Sequence, residues 1–461
     1  MEVPNHENAD LHFVFFPFMA QGHMLPMLDI AALLSLRGAT VTFITTPFNA
    51  ARLRPSLPVH SSISLVALPF PSSASTGLPD GCETVDALPS RNLVRAFFAA
   101  TKALLAPSLR HLRDHLPPPS CVITDVFLPW TREVAREFGA PRLIFSGSSC
   151  FAALCVRNLR AHGVLARVAS ESERFVVPGL PHRVELTKVQ EIIDAAVTSD
   201  GVIFNSFEEL EREYMNLYRE TTGKRIWAIG PVSLSDKDMS NTINRGRKAS
   251  IEEHQCIEWL EQREPKSVIY VSFGSIGRLN PPQTAELARA LDASGRNFMW
   301  VVKSGGGDDD GLPEEFKVEP VTARRMIVRG WAPQVAVLSH GAVGGFVTHC
   351  GWNSVLEGLC TGVPMVTWPL FAEQFVNEKA VVDVLRVGVR VGVERANGWA
   401  GEALEEVMDG GTEGGLRRER ARELGERARR AVEGGGTSFV DLTRLIEFVS
   451  EHKSMKGARE I

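Results

Sequence analysis

Short apolar runs alternate with longer amphipathic stretches along nearly the whole chain. The runs have the length and composition of β-strands, and the stretches between them place apolar residues at helical spacing. The strand-like runs fall at residues 11–18, 40–46, 63–70, 121–125, 142–147, 201–207, 267–273, 297–303, 324–330, 344–350, 364–370 and 389–393. Because strands that alternate with helices form parallel sheets with right-handed crossovers, this pattern predicts an α/β protein with two doubly wound, Rossmann-like domains.

The alternation is interrupted at residues 233–250, SLSDKDMSNTINRGRKAS, which are polar and show no apolar periodicity. Such a segment is typical of an interdomain linker. A chain of 461 residues is also too long for one hydrophobic core. We therefore expect an N-terminal domain over residues 1–232, a C-terminal domain over 251–435 and a closing helical segment at 436–461.

A strand, a glycine turn and a helix start follow one another from residue 343. The run VGGFVTHC is typical of a buried strand, and Asn353 and Ser354 favour the N-cap of the helix that ends at Gly362. The first turn of a helix has unpaired backbone N–H groups and the positive end of the helix dipole, which suit a diphosphate. His349, at the end of the strand, can donate to a phosphate oxygen. A buried histidine in an ordinary strand–helix turn would give the same local pattern.

Other side chains that suit a nucleotide-sugar lie near strand ends in the same half of the chain. Trp331 follows a strand-like run, so its indole lies where ligands of open α/β sheets bind and can stack on a flat base. Glu357 lies one turn into the helix, and Glu373 and Gln374 begin another helix. Their polar groups can bind the hydroxyls of a sugar. Taken singly, the tryptophan also fits core packing and the glutamate at 357 fits a solvated helix face.

A candidate base and its partner come from two strand ends in the first half of the chain. His23 lies in the turn MAQGH between an apolar strand and a helical run at 26–36, and Asp125 ends the short strand CVITD. An aspartate that accepts from one imidazole nitrogen fixes the tautomer and leaves the other nitrogen to accept a proton. The spacing alone leaves open whether the two side chains meet.

The stretch from Trp331 to Gln374, WAPQVAVLSHGAVGGFVTHCGWNSVLEGLCTGVPMVTWPLFAEQ, resembles the donor-binding signature of plant UDP-sugar-dependent glycosyltransferases that act on secondary products. FFPFMAQGHMLP, VPGLP, FNSFEELE and IEWLEQREPKSVIYVSFGS extend the resemblance over most of the chain and are similar to the group D branch. The resemblance implies the glycosyltransferase-B fold, in which two Rossmann-like domains face a cleft and bind the acceptor and the donor respectively. It also implies that the segment 436–461 returns to pack on the first domain.

The resemblance assigns a role to each matching residue. His23 and Asp125 hold the positions of the catalytic dyad. UDP would be bound by Ser275, Trp331, Ala332, Gln334, His349, Asn353, Ser354 and Glu357. The sugar would be bound by Ser146, Trp352, Glu373 and Gln374. Gln374 favours glucose as the donor sugar, whereas Ser146 departs from the histidine that this branch often has there.

The implied reaction is an inverting displacement on UDP-glucose, the co-substrate. His23, oriented by Asp125, would remove a proton from an acceptor hydroxyl as its oxygen attacks the anomeric carbon, which gives a β-glucoside. The expected acceptor is a small apolar metabolite, such as a flavonoid, another phenolic, a terpenoid or a hormone. We expect no metal and no other cofactor, because the helix start and His349 would stabilise the diphosphate. The sequence GGGDDDG at 305–311 contains an Asp-x-Asp pattern that binds manganese in another glycosyltransferase architecture, but here it is typical of a solvated loop.

Composition argues against several other classes of protein. The formal net charge of −5, without a basic patch, gives no reason to expect nucleic acid or an anionic membrane as a partner. Seven scattered cysteines without a CxxC pattern indicate neither a disulfide framework nor a zinc site. The N-terminus is polar, and no run approaches the roughly 20 apolar residues that span a membrane. These features predict a cytoplasmic enzyme, and the family default is a monomer.

Three alternatives stay open at this point. A C-glycosyltransferase would attack through a carbon atom of a phenolic ring and give an acid-stable product. A UDP-sugar-binding protein would hold the donor without turnover, and the segment 182–203, short for this branch, is the feature that favours it. A sugar epimerase on the same fold would release UDP without an acceptor. The presence of both His23 and Asp125 argues for the transferase.

Overall fold

The computed structural model describes residues 8–58, 61–168, 173–186, 198–234, 253–303, 311–392 and 400–459. Its strands are β1 His12–Phe16, β2 Thr40–Thr45, β3 Ile63–Ala67, β4 Cys121–Asp125, β5 Arg142–Ser146, β6 Phe175–Val176, β7 Glu185–Leu186, β8 Gly201–Phe204, β9 Arg225–Ala228, β10 Val268–Ser272, β11 Asn297–Val302, β12 Arg325–Arg329, β13 Val343–Thr348, β14 Met365–Thr367 and β15 Gly388–Arg390. Its α-helices are α1 Gln21–Leu36, α2 Pro47–Leu53, α3 Ser73–Thr76, α4 Val94–Thr101, α5 Leu105–His115, α6 Thr131–Glu137, α7 Cys150–Ala161, α8 Glu208–Thr222, α9 Glu253–Glu261, α10 Pro281–Ala293, α11 Glu314–Val318, α12 Gln334–Ser339, α13 Trp352–Thr361, α14 Gln374–Lys379, α15 Ala400–Met408, α16 Thr412–Val432 and α17 Thr437–Arg459.

The first half of the chain forms a parallel sheet with the strand order β3-β2-β1-β4-β5-β8-β9. Successive strands move outward from β1 to β3 in one direction and from β4 to β9 in the other. The crevice where this order reverses lies between β1 and β4, which are in register with Phe16 opposite Thr124. Ligands of open α/β sheets bind at such a crevice, beyond the carboxyl ends of the strands.

The second half forms another parallel sheet, with the order β12-β11-β10-β13-β14-β15. Here the order reverses between β10 and β13, where Ser272 lies opposite Thr348. The two sheets confirm the predicted α/β class, and every predicted run overlaps one of their strands. The pattern missed β9, since its four residues form a short edge strand. It also missed the two-residue strands β6 and β7, which pair antiparallel.

The last two helices connect the halves. Helix α16 packs on α13 of the second half through a shared apolar cluster. Helix α17 packs on β9 and adds Leu445 and Phe448 to the apolar core of the first half. The backbone N–H of Ala228 donates to the Asp441 carboxylate at 2.9 Å, which fixes α17 to this edge of the sheet.

Several predicted segments lie partly or wholly outside the described residues. These are positions 235–250 of the predicted linker, positions 187–197 of the short segment and positions 305–310 of the glycine–aspartate sequence. The boundaries of the domains therefore stay predictions.

Candidate active site

The imidazole of His23 and the carboxylate of Asp125 meet at the crevice of the first sheet. His23 Nδ1 lies 2.7 Å from Asp125 Oδ2. The second carboxylate oxygen of Asp125 accepts from the backbone N–H of Phe127 at 3.0 Å, and the side chain of Asp125 is fully buried. His23 Nδ1 therefore donates to Asp125, and Nε2 is left to accept a proton.

The position of His23 along the chain differs from the sequence expectation. The prediction placed it in a loop before a helix at 26–36, but α1 begins at Gln21, and His23 lies in its first turn. The helix continues through Pro26. Proline has no backbone N–H, so at this sixth helical position it removes a hydrogen bond to the carbonyl oxygen four residues earlier. The candidate base is therefore carried by a helix and not by a loop.

The pKa of His23 reflects opposing influences. Burial lowers it, but the charge of Asp125 and the hydrogen bond to Asp125 raise it, and the charges of Glu373 and Asp86 act in the same direction. The net result is a pKa above the ordinary value of 6.5. Glu373, which was predicted to bind the sugar, thus interacts electrostatically with His23. Burial in turn raises the pKa of the Glu373 carboxyl.

An aromatic wall surrounds His23. Phe18 and Phe127 lie with their ring centroids 5.5 and 5.6 Å from the imidazole, and Phe98 stacks on Phe18 at 5.1 Å. Phe98 and Phe127 are half-buried, whereas Phe97 is fully buried and belongs to the core. The phenylalanines of this half therefore contribute both to the apolar core and to the aromatic wall beside His23.

A cavity of about 400 Å³ lies between the two halves and is lined by both. All but one of the residues predicted to bind UDP line it: Ser275, Trp331, Ala332, Gln334, Asn353, Ser354 and Glu357. Gly22 and Pro26, on either side of His23, form part of the opposite wall. Segments separated by more than 300 residues therefore contribute to one cavity.

The part of the cavity near Trp331 is lined by a connected polar network. Gln334 Nε2 donates to Ser354 Oγ at 3.1 Å and to Glu357 Oε2 at 2.6 Å. Tyr270 donates from its hydroxyl to Gln334 Oε1 at 3.4 Å. The network holds an amide and a carboxylate beside a half-buried indole, which is a suitable arrangement for a planar base and a ribose.

The start of α13 differs in detail from the prediction. Gly351 is the N-cap and no side chain caps the helix, so the prediction that Asn353 or Ser354 is the N-cap is wrong. Both residues instead lie in the first turn, where their backbone N–H groups have no partner within the helix. The side chain of Trp352 is buried and its indole N–H donates to the carbonyl oxygen of Asn205 at 2.7 Å. A sugar contact from Trp352 would therefore come from its backbone.

His349 lies directly after β13, against Gly274 and Gly351. Burial, followed by the positive charge of Lys303, lowers the pKa of its imidazole to about 4, so the ring is neutral at pH 7. Its Nδ1 is buried and has no hydrogen-bond partner among the described residues. A neutral imidazole has one N–H group that donates. This donor can bind a phosphate oxygen, whereas a hydrophobic core offers it no acceptor.

Lys303 is a cation that the sequence prediction did not include. It follows β11, lines the cavity, and donates from its ammonium group to the carbonyl oxygen of Ser275. The sequence feature that could have identified Lys303 is its place at the carboxyl end of a predicted strand. That strand lies next in the sheet to the strand that leads to Ser275. Lys303 and the first turn of α13 line the same cavity, and the charge of Lys303 acts on His349.

The remaining residues predicted to bind the sugar lie on both sides of the cleft. Gln374 begins α14, and its Oε1 accepts from the backbone N–H groups of Leu370 and Phe371 at 2.8 and 3.0 Å, so its amide N–H groups are what it can offer to a sugar. Ser146 ends β5, and its hydroxyl lies 3.1 Å from that of Ser148.

Three findings concern metals, thiols and membranes. Within the described ranges, no group of three or more histidine, cysteine, aspartate or glutamate side chains is arranged to hold a metal ion. All seven cysteines are free and buried. The helices that the structure describes include none with the length and apolar character of a membrane span.

Known proteins resemble the chain over nearly its full length. The family models for UDP-glucoronosyl and UDP-glucosyl transferases and for a glycosyltransferase N-terminal domain match residues 243–412 and 9–234 respectively. UDP-glycosyltransferase 73E1 of Stevia rebaudiana is 42% identical, over 96% of this chain and 97% of the relative. Scopoletin glucosyltransferase of Nicotiana tabacum is 43% identical, over 97% of this chain and 99% of the relative.

Solved structures show the same relationship. Glycyrrhiza uralensis UGT73P12, complexed with glycyrrhetinic acid 3-O-monoglucuronide, superimposes with a TM-score of 0.88 at 35% identity, over 98% of both chains. Arabidopsis thaliana UGT89C1, complexed with quercetin, superimposes with a TM-score of 0.76 at 30% identity, over 95% of this chain and 99% of that one.

Proposed function

The chain belongs to the plant UDP-glycosyltransferase family, and we propose that it transfers glucose from UDP-glucose to a hydroxyl group of a small apolar metabolite. Membership confirms the predicted glycosyltransferase-B fold and the general activity, which is transfer of a sugar from a UDP-sugar to a small plant metabolite. The identity of the sugar, the roles of individual residues and the β configuration of the product belong to the proposal.

The contact between His23 and Asp125, beside a cavity that the donor half also lines, is the observation that carries the proposal. His23 Nε2 takes the proton of the acceptor hydroxyl while the acceptor oxygen forms a bond to the anomeric carbon. The bond from that carbon to the diphosphate oxygen breaks and UDP leaves from the opposite face. An α-linked donor thus gives a β-glucoside, and Asp125 stabilises the imidazolium that forms.

UDP leaves with negative charge on its terminal phosphate, and three features of the donor half oppose that charge. They are the first-turn N–H groups of α13, the neutral imidazole of His349 and the ammonium group of Lys303. Preorganised donors of this kind stabilise charge as it develops in the transition state. On this basis we propose that transfer proceeds without a metal ion.

The choice of glucose rests on Gln374, which holds the last position of the donor signature, and on similarity to a scopoletin glucosyltransferase. An aromatic acceptor is supported by the half-buried rings of Phe98 and Phe127 near the base. Relatives named for scopoletin or solved with quercetin support the same class of acceptor.

The test is release of UDP from UDP-glucose in the presence of EDTA, with and without a panel of flavonols, coumarins and terpenoid alcohols. We expect acceptor-dependent release that His23→Ala abolishes, and a glucoside whose β configuration NMR identifies. His254→Ala is the matched control, because this histidine is exposed on α9 and contacts Glu258 of the same helix. Equal inactivity of wild type and His23→Ala, with UDP still bound by both, would instead indicate a binding protein.

A further inference from the structure

Two side-chain hydrogen bonds of Asn353 connect the helix predicted to hold the diphosphate to the first half of the chain, and one of them reaches the helix that carries His23. Asn353 Nδ2, in the first turn of α13, donates to the carbonyl oxygen of Gly22 in the first turn of α1 at 2.6 Å. Asn353 Oδ1 accepts from Nδ2 of Asn205, which follows β8, at 3.2 Å. Both bonds cross between the two halves of the chain, so the predicted diphosphate site is connected to the residue directly before His23.

Pro26 explains why the carbonyl oxygen of Gly22 is available. In an α-helix the N–H of each residue bonds to the carbonyl oxygen four residues earlier, and Pro26 lies inside α1 four residues after Gly22. Because proline has no N–H, that carbonyl loses its usual helical partner. The amide of Asn353 takes this place. This hydrogen bond gives the carbonyl oxygen of Gly22 a partner from the second half of the chain and so contributes to the contact between the halves.

Asn205 determines which way the amide of Asn353 points. Asn205 is 4% exposed, and its Oδ1 accepts from the backbone N–H of Val232 at 3.1 Å. Its backbone carbonyl accepts from the indole N–H of Trp352 at 2.7 Å. Since Oδ1 faces a backbone donor, the amide nitrogen of Asn205 must face Asn353. Asn353 therefore presents its oxygen to Asn205, and its two N–H groups are directed elsewhere.

We propose that Asn205 is a positioning residue of the transferase, which acts through Asn353 to hold His23 in register with the bound UDP-sugar. This inference rests on the proposed function. One N–H of the Asn353 amide is used by Gly22, and the other is left for a phosphate oxygen. Occupation of the diphosphate site is thereby coupled to the first turn of α1.

The coupling affects turnover more than donor binding. The base must lie within hydrogen-bond reach of the acceptor hydroxyl while that oxygen is aimed at the anomeric carbon, and a misplacement of about 1 Å can cost roughly 100-fold in rate. Asn353 loses its contact with Asn205, but the other groups predicted to hold UDP keep their contacts within the second half, such as the network of Gln334 with Glu357. Loss of Asn205 should therefore lower kcat and leave the affinity for UDP nearly unchanged.

The first experiment compares Asn205→Ala with Asn158→Ala. Asn158 is similarly buried, at 7% exposure, but its amide donates to the carbonyl oxygens of Pro178 and Gly179 in its own half. We expect Asn205→Ala to lower kcat at least tenfold, to change the Kd of UDP less than twofold, and to raise the ratio of UDP-glucose hydrolysis to transfer. Asn158→Ala should lower the melting temperature by a similar amount without changing that ratio.

A second variant tests the same connection from the other side. Pro26→Ala supplies a backbone N–H that competes with Asn353 for the carbonyl oxygen of Gly22. We expect Pro26→Ala to lower kcat, as Asn205→Ala does, without lowering the melting temperature. A purely structural role for the proline would not produce a lower kcat at an unchanged melting temperature.

Hydrogen–deuterium exchange with UDP separates this inference from the proposed function, because it needs no turnover. UDP should slow exchange of the backbone amides at residues 22–25 in wild type and Asn158→Ala, but not in Asn205→Ala. The positioning role is overturned if Asn205→Ala matches Asn158→Ala in exchange and in the hydrolysis ratio. A wild type that shows UDP-dependent protection but no acceptor-dependent release would count against the proposed function alone.

Discussion

Replacement of Asp125 by asparagine is the most direct perturbation of the proposed mechanism. Asp125 has two donors to satisfy, the imidazole of His23 at 2.7 Å and the backbone N–H of Phe127 at 3.0 Å. Asparagine has one carbonyl oxygen for the two of them. If that oxygen faces Phe127, the amide NH₂ faces His23 and selects the tautomer that carries hydrogen on Nε2, which cannot act as a base. If the carbonyl oxygen faces His23 instead, the amide NH₂ of the asparagine faces the backbone N–H of Phe127, and two donors oppose each other.

The loss of charge adds to this effect. Two unit charges about 4 Å apart interact by about 4 kcal/mol at an effective dielectric constant of about 20. If half a charge has developed on His23 in the transition state, about 2 kcal/mol of stabilisation is lost, or roughly 30-fold in kcat. Complete proton transfer would raise the loss to roughly 1,000-fold. We therefore expect Asp125→Asn to lower kcat by between about 30-fold and about 1,000-fold.

The pH dependence supplies a second signature. His23 acts as a base only when neutral, so kcat/KM should rise with pH and level off above its pKa, which lies above 6.5 in the intact site. Asp125→Asn removes the strongest influence that raises this pKa, so the rise should move to lower pH while the plateau falls. UDP release measured from pH 5 to pH 9 at saturating donor tests both effects. Asp441→Asn is the control, because this buried carboxylate accepts from Ala228 in the interface with α17. A plateau within threefold of wild type and an unmoved pH profile would refute the assigned role.

Three further predictions concern the donor site and its charge. Trp331→Ala should remove base stacking of about 1–3 kcal/mol and raise the Kd of UDP by roughly 5- to 150-fold in calorimetry. Lys303→Met should weaken UDP binding by about 1 kcal/mol, roughly fivefold, and raise the pKa of His349, which NMR titration can follow. Glu373→Gln should move the pH profile of kcat/KM to lower pH, by less than Asp125→Asn does, because Glu373 contributes less to the raised pKa of His23.

Local patterns in the sequence were sufficient for the sheets and for part of the cavity wall, and the family resemblance supplied Ser275, Ala332 and Gln334. A buried parallel strand is a short apolar run, and the residue after it lies at the carboxyl edge, where such sheets bind ligands. This logic placed Asp125, His349 and Trp331 at or just after strand ends, and the structure has them there, with Trp331 in the wall of the cavity. It does not depend on knowing how distant segments pack.

The contacts across the cleft could not be predicted from local sequence patterns and are seen only in the folded chain. Asn205 follows a short strand and resembles any asparagine at a strand end, and its partner Asn353 lies 148 positions away. The N-cap of α13 was assigned to Asn353 or Ser354 because both residue types are common caps. The structure uses Gly351, and it uses the freed amide of Asn353 for the bond to Gly22. A strong local preference was overridden by an interaction that forms only between the two halves.

One of these long-range contacts nevertheless corresponds to a local feature of the sequence. The four-residue spacing of Gly22 and Pro26 equals the spacing of the α-helical hydrogen bond, so a helix through both residues must leave the Gly22 carbonyl without its usual partner. An unpaired carbonyl directly before a candidate base predicts that a donor arrives from elsewhere in the fold. The spacing does not identify that donor, which the folded chain supplies as the amide of Asn353 from the opposite wall of the cavity. In this enzyme the residue pair Gly22 and Pro26 therefore lies at a point where the two halves of the chain meet.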